Sequence, residues 1–456
     1  MSSVAMFSAA RRPAARTAHS RARTHRPNVE GLEDRFLLYA ATGGHWQFPA
    51  RITYSFVPDG TSLGGIPSTL NSSLSALGIS ASSWQTAITK AALAWEATAG
   101  VNLVQVGDNG AVSGDPTLDQ QGDPNVGDIR FGGTSLDPSV LAEAFLPPPI
   151  NGGSLAGDVV FNTSQLWKVG ADYDFQTVAM HELGHALGLD HSTDTTATMY
   201  PYYTGTNQVL AADDKAGIQA VYGPRQPDAF DAAASNQTTA TASNITPYID
   251  PSNLQISLSG LDISTNQDLD VYKVVVPAGA SSSFTVKMQS TGLSSMSPRL
   301  LVLNGTGGFI TQVYSSNYGA TVSATINGVS AGQTYYFRAQ GYATNTAGIG
   351  AYGLQVNFSL GYQAPIAPPN TTVAAQADHG GGGSYDQIGG DPLNFHTTLQ
   401  IGDISGTVDT LTIGSYRHRP ITEHQAATSR HAVHDHALAT VSRLHGHHHK
   451  AHHRKA

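Results

Sequence analysis

The densest chemistry in the chain lies in eleven residues, HELGHALGLDH, running from His181 to His191. On an α-helix His181 and His185 stand one turn apart on one face, and Glu182 lies beside whatever metal the two imidazoles hold. Glycine enters the left-handed helix cap without strain, so Gly188 predicts the end of that helix, and the reversal returns His191 toward the first two histidines. Three imidazoles with a carboxylate at hand form the donor set of a hydrolytic zinc site, in which three protein ligands leave one position open. The blander reading, three histidines satisfied locally at a surface or in a core, makes the spacing around Glu182 an accident.

Such a site needs a helix from about Asp174 and a scaffold to hold it. From His45, WQFPARITYSFVPDG alternates as a strand does and ends in a turn. Residues 82–99 repeat Ile88, Ala91, Ala92 and Trp95 at helical spacing, and 101–106 reads as the next strand. Short strands follow at 128–131, 141–145 and 158–161, separated by Gly- and Pro-rich loops. Downstream of the histidines come HSTDTTATMYPYY and LAADDKAGIQAVYG, where Asp213 or Asp214 caps a closing helix that ends at Gly223.

The remainder divides by composition. Residues 1–41 carry scattered arginines and then VEGLEDRFLLYAA, whose Leu-Glu-Asp-Arg-Phe-Leu-Leu string resembles a leader motif of secreted bacterial proteins; the segment reads as a targeting leader or a disordered arm. Residues 225–250 are Thr-, Asn- and Ala-rich, a linker by composition. Over 251–362, DLDVYKVVVPAG, SSFTVKMQ, RLLVLNG, TYYFRAQGY and YGLQVNFSL alternate between turns and read as an all-β sandwich. In it Asp268 and Asp270 read as turn carboxylates before they read as calcium ligands. Residues 363–456 are low-complexity and hold more than half of the 19 histidines, a disordered tail by composition.

The chain of 456 residues has no cysteine, which excludes disulfides and thiolate metal sites. Its formal net charge is −9, with the acidic residues in the body and the basic ones at both ends. An acidic body argues against nucleic acid as a partner. No apolar run approaches the roughly 20 residues of a transmembrane segment.

Residues 42–224 resemble the catalytic domain of the matrixins, the matrix-metalloprotease branch of the metzincins. The resemblance rests on HExxHxxGxxH, on Met199 eight residues later in TMYPYY, on Ser192 directly after the third histidine, and on DDKAGIQAVYG. The fold it implies is α+β, a twisted five-stranded mixed sheet over three helices, followed here by the sandwich. That second part resembles, more weakly, the bacterial pre-peptidase C-terminal domain. The resemblance assigns the catalytic zinc to His181, His185 and His191, makes Glu182 the base that activates a zinc-bound water, and makes Met199 the Met-turn floor beneath the histidines. It also implies that a peptide substrate pairs antiparallel with the sheet's edge strand at Leu141 and Ala142, beside a pocket walled by Pro201 and Tyr203 and floored near Thr177. Thr177 is small, so that pocket is expected to be roomy and to take large apolar side chains.

Several family features are altered. Two histidine positions of a second zinc site are Glu143 and Val160, and the side chains of one calcium site correspond to Asn162 and Gln165. The other calcium site keeps its two carboxylates, Asp128 and Asp158, and is the one expected to bind Ca2+. The leading expectation is a secreted zinc endopeptidase acting on protein or peptide, with cell-surface or matrix contact through the sandwich. The rival is a surface binding or adhesion protein on a degenerate metzincin scaffold, and the intact Glu182 with three histidines weighs against it.

Overall fold

The computed structural model describes residues 41–374 and 398–401; the expected leader, apart from residue 41, and most of the expected tail lie outside the described residues. In chain order the first part runs β1 (Ile52–Phe56), β2 (Ser62–Leu63), β3 (Ile66–Pro67), α1 (Leu70–Ala76), α2 (Ala81–Glu96), β4 (Leu103–Gln105), β5 (Ile129–Thr134), β6 (Val140–Ala144), β7 (Val159–Asn162), α3 (Phe175–Ala186), β8 (Tyr202–Tyr203) and α4 (Ala212–Tyr222). The second runs α5 (Ala229–Ala233), β9 (Ser243–Asn244), β10 (Gln255–Ile263), β11 (Asp270–Val275), β12 (Ser283–Gln289), β13 (Pro298–Asn304), β14 (Phe309–Tyr314), β15 (Thr321–Asn327), β16 (Thr334–Gly341) and β17 (Gly350–Asn357), with β18 (Thr398–Ile401) returning to the first.

The main sheet has the order β4-β1-β5-β7-β6-β18-β8. Its first five strands are parallel except β6, which pairs antiparallel with β7. The sheet therefore has seven strands among the described residues where five were expected. One of the additional strands comes from far outside 42–224, and the other, β8, is two residues long and leaves no periodic trace in sequence. The short α1 likewise adds a fourth helix to this part.

Helix α3 is buried along its whole length, so no polar face marks it as amphipathic; its motif alone reveals it. Asp174 caps its start by accepting the Thr177 amide at 3.0 Å. Phe175 stacks on Phe161 of β7 with ring centroids 4.3 Å apart, which seats the helix on the sheet. From the other side, Trp95 of α2 donates its indole N–H to the Met180 carbonyl at 3.0 Å, and Trp46 donates to Ala186 O at 2.9 Å. Each buried indole thus spends its one polar atom on α3. The capping reading of α4 needs correction. Ala211 occupies the N-cap position, and Asp214 reaches back from the first turn to accept its amide at 2.8 Å.

In the second part, the sheets β10-β17-β12-β15 and β14-β13-β16-β11-β9 enclose one core, which includes Phe284 and Val356 from the first sheet and Tyr272 and Phe337 from the second. The stretch read as a linker carries α5 and β9, and Ile245 is buried in this same core. Polar composition hid that role because a few apolar anchors, Ile245 with Phe230 and Ile249 packed beside it, suffice to dock the segment. The two parts meet at Arg225, which pairs with Asp262 and donates to Glu96 O at 2.9 Å, and at Ser295, whose hydroxyl donates to Leu103 O at 2.6 Å.

Candidate metal centre

The end of α3 builds the site. Leu187 is the last half-turn residue, Gly188 follows at φ 102°, and the amides of Gly188 and Leu189 bond back to His185 O at 2.8 Å and Gly184 O at 3.0 Å. This paired closure is a Schellman turn, which needs the left-handed residue that glycine supplies. The same turn brings back His191, and its Leu189 carbonyl meets His185 Nδ1 at 2.8 Å. Thr198 O meets His181 Nδ1 at 2.7 Å.

Carbonyl oxygens only accept, so in both rings the proton sits on Nδ1 and the Nε2 lone pair faces inward. The two Nε2 atoms are 3.0 Å apart with no proton to share between them. His191 Nε2 is buried without a partner, and ring nitrogens of all three histidines lie within 4.8 Å of one another. Burial, ahead of the neighbouring ring, lowers His181 to about 3, and it lowers His185 and His191 as well. Three neutral nitrogen donors converge on a space that only a cation satisfies, and the set fits zinc.

Glu182 is buried, and neither of its carboxylate oxygens has a hydrogen-bond partner in the protein. Burial first, and then the charge of Glu143, raises its pKa well above the ordinary carboxylate value. Met199 is buried and presses on Gly184, where an added Cβ would stand 2.3 Å from its sulfur. Asp214 holds this turn by accepting the Thr198 amide at 2.8 Å and the Met199 amide at 2.9 Å.

The matrixin family model matches residues 70–223. Residues 70–223 are a matrixin domain. Karilysin of Tannerella forsythia is 38% identical over 127 residues, covering 28% of this chain and 26% of karilysin. Matrix metalloproteinase-20 of Homo sapiens is 49% identical over 90 residues, and interstitial collagenase of Sus scrofa 50% over 88, each match covering 19% of this chain and 18% of the relative. The chain thus spans about a quarter or less of the length of these relatives.

Within the matrixin domain the expected substrate-binding residues fall in several places. Leu141 and Ala142 lie in β6 with their side chains in the core, so they offer only backbone to a ligand. Thr177, Tyr203 and His181 line one small cavity, together with Tyr200 and Tyr202; Pro201 is not among its lining residues. That cavity is about 20 Å³, room for one water and not for a leucine side chain. Thr177 leaves no space because its hydroxyl donates to Asp174 at 2.7 Å and accepts the Asn207 amide at 2.9 Å. Among the described residues the cavity beside Thr177 is narrower than its small size suggests, and the Thr177 hydroxyl ties two parts of its wall together.

The expected calcium residues are arranged against a shared ion. Asp128 commits both oxygens to backbone amides, those of Thr53 and Gly122. Asp158 accepts from Ser113 at 2.6 Å and keeps its other oxygen buried without a partner, and burial pushes it up to about 8. The positive charge beside it comes from Arg130, which is paired with Asp108 at 2.8 Å. Among the described residues, Asp128 and Asp158 do not belong to a group of three His, Asp or Glu donors close enough to share an ion. Asn162 donates its amide N–H groups to Asp137 O at 2.9 Å and Val140 O at 2.7 Å. Glu143 and Val160 face each other across β6 and β7.

Asp214 and Gly184 were the functional residues missed in sequence. HELGH contains the glycine in plain view, but only the Met199 contact explains it. A second group of donors within 4.8 Å of one another, Asp231, Asp268 and Asp270, lies in the sandwich.

Proposed function

We propose that the chain is a zinc-dependent endopeptidase acting on proteins or peptides outside the cell. The observation that carries this reading is the pair of inward, unprotonated Nε2 atoms 3.0 Å apart beside a carboxylate with no protein partner. His181, His185 and His191 hold the ion. When bound, zinc supplies Lewis acidity, which polarises the scissile carbonyl and makes water acidic near pH 7. Glu182 accepts a proton from the attacking water at a carboxylate oxygen and returns it to the leaving amine nitrogen. The backbones of β6 and β8 orient the substrate on either side, through main-chain pairing that demands little of its sequence.

The proposed organisation places catalysis in 42–224 and the sandwich in 251–362, joined by 225–250. Contact with a surface or matrix is assigned to the sandwich, where Phe309, Tyr314 and Tyr342 are exposed and Tyr314 stacks on Tyr342 at 4.6 Å. Secretion is supported by the leader-like string and by the acidic body; among the described residues no helix is long and apolar enough to cross a membrane. The test is metal analysis of the purified full chain combined with peptide digestion with and without o-phenanthroline. One zinc per chain is expected, with chelator-sensitive cleavage by the full chain or by the chain lacking β18; a folded, metal-loaded chain that cleaves no peptide or protein even with β18 deleted overturns the reading.

A further inference from the structure

The strand β6 is not the edge of the main sheet. Residues 398–401 pair antiparallel with it, Thr398 opposite Glu143 and Gln400 opposite Val140. On the far side the same strand pairs parallel with β8, Gln400 opposite Tyr202 and Ile401 opposite Tyr203. Gln400 is therefore bracketed at one point by both walls.

These two walls flank the metal centre. Helix α3, which carries His181, Glu182 and His185, packs against both β6 and β18. Tyr202 and Tyr203, the partners of Gln400 and Ile401, line the cavity that also includes His181. Paired strands lie about 4.8 Å apart, so a gap that β18 bridges by pairing on both sides holds one extended chain and no second. The chain has no cysteine with which to block a metal by thiolate, whereas a strand blocks it with backbone alone. A tethered segment also acts at an effective concentration in the millimolar range, above what most free peptides reach.

We infer that residues 398–401 are an intramolecular ligand of the substrate cleft, which holds the peptidase shut until the segment is displaced. The inference rests on the cleft assignment made above, and its primary test reads the strand and not the turnover.

The test uses the full chain carrying Glu182→Ala, to prevent self-digestion, with and without Gln400→Pro. Proline cannot donate to a ladder and withdraws that residue from pairing. Amide hydrogen exchange in 140–144 and 202–203 is expected to accelerate at least tenfold with Gln400→Pro, while Gln400→Ala, which keeps the backbone donor, behaves as the parent. A full-length variant lacking 398–401 asks the same question without a proline. Equal exchange in the parent and in both disrupted chains overturns the inference. With Glu182 restored, disruption is expected to raise the initial rate on a soluble peptide at least tenfold at unchanged zinc content. Faster exchange without any hydrolysis would leave the strand's role standing and sink the peptidase reading instead.

Discussion

Two clusters in this molecule place three metal-ligating side chains within the same 4.8 Å, and they differ in how their charge is balanced. In the histidine group the protons are held on the outside by Thr198 O and Leu189 O, leaving lone pairs that face one another with nothing between. In the aspartate group the balance is internal. Asp268 accepts the Ser264 amide and hydroxyl at 2.8 and 2.9 Å, Asp270 accepts the Tyr352 hydroxyl at 2.6 Å, and Asn236, with its amide nitrogen turned toward them, donates to Asp231 and Asp270 at 2.9 and 3.3 Å. Burial pushes Asp270 up to about 9, so it retains a proton at neutral pH where a cation would otherwise be needed, and burial followed by the neighbouring Asp268 raises Asp231 to about 6. Proximity alone is common to both; only the first group lacks any internal way to cancel its repulsion.

The comparison breaks most visibly in turnover. Glu182→Ala removes the base and no ligand, and the peptidase rate is expected to fall by about 10²–10⁴ while zinc content stays at that of the parent. Zinc lost together with the glutamate would show that the carboxylate belongs to the ligand set.

Metal removal separates the clusters next. Loading with zinc to about a hundred times its dissociation constant should stabilise the full chain by about 2.7 kcal/mol, and His185→Ala should abolish that shift in melting temperature. Calcium should leave the melting temperature unchanged, since Asp128 is committed to amides and the sandwich carboxylates to protons and hydroxyls. A calcium shift abolished by Asp270→Asn would make the second cluster a metal site after all and erase the distinction drawn here.

A smaller effect sharpens the first cluster from outside it. Asp214→Ala orphans the amides of Thr198 and Met199 and frees the carbonyl that fixes the His181 ring. Stability should fall by about 1–3 kcal/mol, and zinc affinity by about 10–100-fold. Competition with a fluorescent chelator measures the second quantity. Unaltered affinity would mean that the ring orientation is set by packing.

What could be seen in the sequence follows from how local each feature is. The helix with its three clustered histidines, Glu182 and its glycine turn was legible because all of them fall within eleven residues whose spacing is itself the geometry. The sandwich strands 270–275, 283–289, 298–304, 334–341 and 350–357 were legible because alternation records a buried face. Neither Asp214, fifteen residues from the amide of Met199 that it holds, nor the β18 strand, more than two hundred residues from β6, leaves a local pattern. The narrowness of the cavity beside Thr177 was illegible for a different reason. Residue volume predicts space only when the side chain is not itself a structural bond.

The last expected effect concerns the proton held by the second cluster. Asp270 is raised from 3.8 to about 9 by burial first and then by the charges of Asp228, Asp268 and Asp231, against the lowering hydrogen bond from Tyr352. Between these two values the folded chain keeps a proton that the unfolded chain releases, so the folded state binds more protons and stability falls as pH rises. The contribution is fully present below about pH 4 and is lost by the time pH has risen through about 9. Asp270→Asn keeps an acceptor for the Tyr352 hydroxyl and removes the titration. The variant should therefore melt within a few degrees of the parent at pH 5 and lose less stability between pH 5 and 8.5, each 1 kcal/mol corresponding to roughly 2–4 °C in a folded unit of this size. Scanning calorimetry of the two full-length chains at both pH values measures it. Parallel pH profiles would show that Asp270 is ionised in the folded protein, and the aspartate group would then have no internal answer to its own charge.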